Sequence, residues 1–196
     1  GGVIFRIGTA MGRNLDHSAS LLRFVSSRHT TAVFPSPRLF YNGAPMQLPS
    51  LEPASGFLPP STPSPLQVLR EVFGYQEFRP GQAQIVEQVV AGRDALVIMP
   101  TGGGKSLCFQ IPALVRPGLA VIVSPLIALM KDQVDTLRAN GVAAACLNSS
   151  VPREELLGIY SALRQGELKL LYVAPERLML PDFLDQLAEL RLSLFA

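Results

Sequence analysis

The stretch from Leu66 to Ala196 predicts an α/β fold, a doubly wound and mostly parallel sheet. Three observations carry that prediction. Short runs that are apolar but for Ser193 recur along it: ALVIM at 95–99, LAVIV at 119–123, AAACL at 143–147, LLYV at 170–173 and LSLFA at 192–196. None alternates apolar with polar residues, as expected of strands covered on both faces. Stretches with helical spacing lie between them, and glycines close those helices, so the order is a β-α-β succession.

Residues 1–65 read differently. Nine of the 17 prolines fall at or before Pro65, and 45–65 runs PMQLPSLEPASGFLPPSTPSP. Proline at that density blocks helices and central strands, so 1–65 is expected to be a disordered or non-native leader and linker. Five arginines stand there against Asp16 and Glu52, whereas 12 basic residues face 13 acidic ones from Leu66 onward. The mild basicity belongs to the leader, and net charge argues neither for nor against a nucleic-acid partner. Residues 1–45, poor in acids and containing Arg and Ser, have the composition of an organellar transit peptide. The preferred reading is upstream sequence outside the folded protein, with Met46 as a start and a cytoplasmic location. The chain opens on Gly1 and closes on Ala196 in mid-pattern, which reads as a piece of a longer protein.

Each element has a local reason. Ser64-Pro65 has the form of an N-cap followed by proline in the first turn; Leu66, Leu69 and Val72/Phe73 then share one face, and Gly74 stops the helix. A second helix is expected over 82–91, with Ile85, Val86, Val89 and Val90 on one side and Gly92 at its end. Helices follow over 126–140 and 153–165, stopped by Gly141 and Gly166. No run approaches eighteen apolar residues, which excludes a membrane-spanning helix. Two cysteines make neither a disulfide framework nor a four-ligand zinc site; Cys108 and Cys146 read as small buried apolar residues.

Between the first apolar run and the next helix stands Met99-Pro100-Thr101-Gly102-Gly103-Gly104-Lys105-Ser106. The glycines let the backbone curl so that successive N–H groups face a phosphate, with a helix N-terminus behind them. Lys105 would reach the β- and γ-phosphates and the Ser106 hydroxyl would ligate Mg²⁺. Met99 stands where the strict eight-residue pattern has glycine, so the loop departs from the GTPase and kinase form and matches a helicase form.

Four blocks in order, YQEFRPGQ at 75–82, MPTGGGKSLCFQIPAL at 99–114, SPLIALMKDQV at 124–134 and YVAPERL at 172–178, resemble the successive motifs of RecQ-family DNA helicases of the bacterial kind. The resemblance covers 66–196. It implies an incomplete RecA-like P-loop NTPase lobe, the first of two, from an ATP-dependent 3′→5′ helicase of recombination and repair. It implies ATP and Mg²⁺ as cofactors, single-stranded or partly duplex DNA as partner, and zinc only in domains that follow in the family.

Carried over residue by residue, the first block resembles an adenine-recognition motif: Gln82 would bond the adenine edge, Tyr75 would stack on the ring, and Arg79 would pack beside it. Read without the resemblance, Tyr75 and Phe78 are core aromatics and Gln82 a surface cap. Ser124 and Pro125 resemble a motif on the DNA path, continued by Lys131 and Asp132, which on spacing alone are solvated helix charges. Asn148 is a further candidate backbone contact. Pro175 and Arg177 resemble the next DNA-side motif, although Arg177 could equally pair with Glu176 or Asp182. DEAD-box RNA helicases carry an Arg-Glu-bearing motif after the second strand, which SPLIALMKDQV is not.

The family's next motif, Asp-Glu-x-His, does not occur in these 196 residues. The chain alone is therefore expected to bind ATP and DNA weakly, without unwinding. The competing expectations are a non-enzymatic nucleotide-binding remnant and a different P-loop ATPase.

Overall fold

A computed structural model describes residues 2–9, 40–41, 44–45, 62–100 and 102–196. The first helix, α1 (Pro65–Glu71), starts at Ser64 with a reciprocal capping box: Gln67 N–H donates to Ser64 Oγ at 3.2 Å, and Ser64 N–H to Gln67 Oε1 at 2.8 Å. Helix α2 (Gln82–Val90) follows Gly81, whose φ of +84° is open to glycine at little cost. Then come β4 (Ala95–Pro100), α3 (Leu107–Val115), β5 (Leu119–Val123), α4 (Ile127–Ala139), β6 (Ala144–Leu147), α5 (Arg153–Gln165), β7 (Leu170–Val173), α6 (Pro175–Leu178), α7 (Pro181–Glu189) and β8 (Leu192–Phe195). All five expected strands form, within a residue of their expected ends.

Strands β8, β5, β7 and β6 lie side by side in that order, every pair parallel. One further member is β1 (Gly2–Thr9), which runs antiparallel between β4 and β8 and places β4 at the sheet edge. Sequence reading assigns that segment to the leader; its run Val3-Ile4-Phe5 is strand-forming by propensity. Two short strands, β2 (Phe40–Tyr41) and β3 (Ala44–Pro45), pair with each other. Residues 10–39, 42–43 and 46–61, and with them most of the stretch of transit-peptide-like composition, lie outside the described residues.

The central strands bury both faces, as their unbroken apolar runs require. In β7, Leu170 and Tyr172 join Met130, Val134, Leu137 and Cys108 on one side, while Leu171 and Val173 join Ile159, Leu163, Phe183 and Leu187 on the other. Each fully buried Leu or Ile here contributes about 1.5–3 kcal/mol. Strand β4 departs from the expectation. Val97 is buried, but Leu96 and Ile98 remain 68% and 64% exposed, because their side of the sheet is covered by α5 and α7, whose contacts stop at β5–β8.

At the edge where β5, β7 and β8 begin, Arg116 ties elements together. Its Nη1 donates to Val89 O at 2.9 Å and Val90 O at 3.2 Å, its Nε to Ser193 O at 3.2 Å, and its own carbonyl accepts from Lys169 Nζ at 2.6 Å. Among the described residues no helix is long and apolar enough to cross a membrane.

Candidate functional site

The glycine loop leaves the carboxyl end of β4 and enters α3. Gly102 and Gly104 hold φ of +81° and +75°, a region where a side chain costs about 1–2 kcal/mol. Gly103 N–H donates to Pro100 O at 3.1 Å, and Lys105 Nζ donates to the same oxygen at 2.8 Å. The backbone N–H groups of Gly104, Lys105 and Ser106 find no acceptor among the described residues. Ser106 is the N-cap of α3 yet makes no capping bond with its side chain. Unspent N–H groups at the start of a nine-residue helix, beside a lysine, suit a polyphosphate. Thr101, the remaining expected member, lies outside the described residues.

The block upstream of the loop closes directly onto it. Arg79 Nη1 donates to Gly102 O at 2.6 Å. Gln82 Nε2 donates to Gly104 O at 3.0 Å and Gly103 O at 3.4 Å, while Gln82 Oε1 accepts from Arg79 N–H at 2.8 Å. At 1% exposure Gln82 is no surface cap. Its carboxamide, expected to face adenine, is turned onto the phosphate loop, because the loop's inward carbonyls leave a buried donor nowhere better to go. Phe78 packs against the Val68–Leu69–Ile111 cluster, as a core aromatic. Tyr75 is 53% exposed, with its ring free to stack.

The expected DNA-side residues follow the carboxyl ends of β5, β6 and β7, where open α/β sheets present ligands. Val123, Val173 and Leu147 stand in register across these strands, so Ser124, Ala174 and Asn148 follow side by side. Pro125, Lys131 and Asp132 are exposed; Ser124 Oγ accepts from Leu126 N–H at 3.3 Å, shaping the entry to α4. Arg177 forms no pair with Glu176 or Asp182: its Nε is buried and has no hydrogen-bond partner among the described residues. Asn148 lies just past the end of β6 with its side chain folded inward. It is 3% exposed, and its Oδ1 accepts from Ser150 N–H at 2.8 Å and Ser150 Oγ at 2.6 Å. The residue forms a turn with its side chain and presents no free carboxamide to a backbone phosphate.

One polar chain escaped sequence reading. Gln110 Nε2 donates to Tyr172 Oη at 2.9 Å, Tyr172 O–H donates to Gln133 Oε1 at 2.7 Å, and Gln133 Nε2 donates to Ser106 Oγ at 3.1 Å. Burial pushes the Tyr172 phenol well above its ordinary range. The signal was a lone hydroxyl inside the apolar run LLYV, since a buried tyrosine usually finds a partner. Burial also raises the Cys108 thiol to about 11 and raises that of Cys146, so neither is a ready nucleophile. No group of three His, Cys, Asp or Glu among the described residues could hold a metal; the donor suited to Mg²⁺ is the Ser106 hydroxyl, a hard oxygen beside the phosphate cradle.

Residues 79–193 match the DEAD/DEAH box helicase family. The chain is 54% identical over 121 residues to the ATP-dependent DNA helicase RecQ of Haemophilus influenzae, covering 62% of this chain and 20% of the relative. It is 44% identical over 130 residues to the ATP-dependent DNA helicase RecQ of Bacillus subtilis (66% and 22%) and 48% identical over 108 residues to the ATP-dependent DNA helicase Q-like 2 of Arabidopsis thaliana (54% and 15%). The chain thus spans about a fifth of the length of these bacterial relatives.

Proposed function

The chain belongs to the DEAD/DEAH box helicase family, in its RecQ branch, and from that membership we propose that it is the ATP-binding lobe of a 3′→5′ DNA helicase. The observation that carries this reading is the closure of Arg79 and Gln82 onto Gly102, Gly103 and Gly104, which joins the upstream motif and the phosphate loop into one site. Its ligand is ATP with Mg²⁺; its macromolecular partner is single-stranded or partly duplex DNA, in recombination and repair. A cytoplasmic place of action belongs to the same reading.

Each residue has a task that follows from its position. Lys105 exchanges its bond to Pro100 O for the β- and γ-phosphates, a charge-assisted contact. The N–H groups of Gly104, Lys105 and Ser106 hold phosphate oxygens at the α3 N-terminus. Bound Mg²⁺ would neutralise charge on the β- and γ-phosphates, and Ser106 Oγ would ligate it. Tyr75 offers an exposed ring to the base. Ser124, Pro125 and Arg177 sit along one edge and suit sequence-indifferent contacts to a strand's backbone. Hydrolysis needs an acidic pair to place the attacking water, a task that none of the residues named here performs.

The test is titration of the 196-residue chain with a fluorescent ATP analogue in Mg²⁺, followed by ATP and GTP competition. Saturable binding displaced better by ATP is expected. Absence of nucleotide binding would overturn the reading.

A further inference from the structure

We propose that Gln133 is a positioning residue for the Ser106 hydroxyl, holding it through the chain Gln110–Tyr172–Gln133–Ser106 so that the oxygen keeps one lone pair for the metal that accompanies the nucleotide. The inference deepens the nucleotide-binding reading and rests on it.

The chain runs in one direction in this structure, from Gln110 towards Ser106. With Gln110 Nε2 donating to the phenol oxygen at 2.9 Å, the phenol proton goes to Gln133 Oε1 at 2.7 Å. A carboxamide is planar, so a Gln133 anchored by its oxygen presents its nitrogen on the opposite side, where Ser106 Oγ accepts at 3.1 Å. Both anchors are rigid. Tyr172 is 1% exposed within the central strand β7, and Gln110 is 5% exposed within α3. A serine hydroxyl has two lone pairs and a freely rotating proton. Occupying one lone pair with a fixed donor removes most of that freedom. The other lone pair and the proton are then the groups left to meet a ligand at the loop. The oxygen is also uncommitted to helix capping, and the bond from Gln133 is the one it makes among the described residues.

The chain also crosses from the loop to the other edge residues. Gln133 lies on α4, which begins just after Ser124-Pro125, and Tyr172 lies on β7, which runs into Pro175. The chain thus connects Ser106 by hydrogen bonds to the two elements that carry the DNA-side residues.

A network that merely satisfied buried polar groups would affect stability alone. The deciding readout is the ratio of nucleotide affinities in Mg²⁺ and in EDTA, measured on the full chain with a fluorescent ATP analogue. Thermal midpoints of the same samples accompany it. Gln133→Met, similar in size without the donor, is expected to lower that ratio about tenfold, the scale of a lost hydrogen bond at a charged site, with affinity in EDTA unchanged. Tyr172→Phe keeps the ring, releases the Gln133 oxygen, and is expected to lower the ratio less. An unchanged ratio in both variants, or equal losses with and without Mg²⁺, overturns the proposal while the nucleotide reading stands. A wild-type chain that binds no nucleotide under either condition overturns both.

Discussion

Gln82 and Gly104 share one space: the Gln82 carboxamide nitrogen lies where a Cβ on Gly104 would have to sit. The residues are 22 positions apart, and each explains the other's identity. Gly104 is glycine because of its φ of +75° and because of its neighbour; Gln82 is buried without penalty because Gly104 O accepts its proton.

Gly104→Ala is expected to destabilise the chain by about 1–2 kcal/mol from backbone strain alone and to expel the Gln82 amide from its place. Urea denaturation measures the first effect and nucleotide titration the second. A variant with wild-type midpoint and affinity would show that the loop rearranges freely.

Gln82→Ala leaves the Gly104 carbonyl and the Arg79 N–H without their partner. The expected loss is about 1–3 kcal/mol of stability, with weaker ATP binding. Competition with GTP separates two roles. A larger loss for ATP indicates contact with adenine, and equal losses indicate that Gln82 acts through the loop.

Lys105→Ala removes the ammonium that bonds Pro100 O at 2.8 Å. Because that bond is exposed, the fold should tolerate the change, with the thermal midpoint nearly unaltered. Nucleotide affinity should fall about tenfold or more, as for a charge-assisted contact to phosphate.

Arg177→Ala should weaken binding of a labelled single strand roughly fivefold or more, to the same extent for oligothymidine and a mixed sequence, since a backbone contact reads no base. Fluorescence anisotropy of the chain with each strand tests both points. Sequence-dependent losses would argue for base contact instead.

The Cys108 thiol gives a pH dependence whose sign is set by burial. Its proton is held to about 11 in the folded chain against 9.0 in an exposed thiol. The folded state therefore keeps a proton that the unfolded state sheds. The stabilisation is whole below pH 9 and is lost as pH rises towards 11, on the order of 2 kcal/mol in all. Cys108→Ala should flatten the decline of the urea midpoint between pH 9 and 10.5.

Much of this fold was legible because burial on both faces writes unbroken apolar runs. LAVIV and LLYV became β5 and β7 with the expected bounds. The open face at Leu96 and Ile98 was not legible, since ALVIM reads the same whether or not a helix covers it. Glycine spacing located the phosphate loop, and Gln82 and Arg79 were found through resemblance, although their bonds to the loop were not foreseen. Gln133 was passed over because one glutamine on a polar helix carries no period. Its importance lies in a contact with Ser106, 27 residues away in sequence. At Asn148 the strand-end position was legible, but whether a side chain points outward or folds back onto Ser150 is decided by local turn geometry.

The Arg116 clamp gives the domain's base an indifference to ionic strength. Arg116 and Lys169 lay their charges against carbonyl oxygens of α2, α3 and β8 rather than against carboxylates. These are short, half-buried contacts between an ion and a dipole, which dissolved salt screens far less than it screens exposed charges a Debye length apart. Brine strong enough to part exposed charge pairs would leave these contacts between α2, the end of α3 and β8 in place.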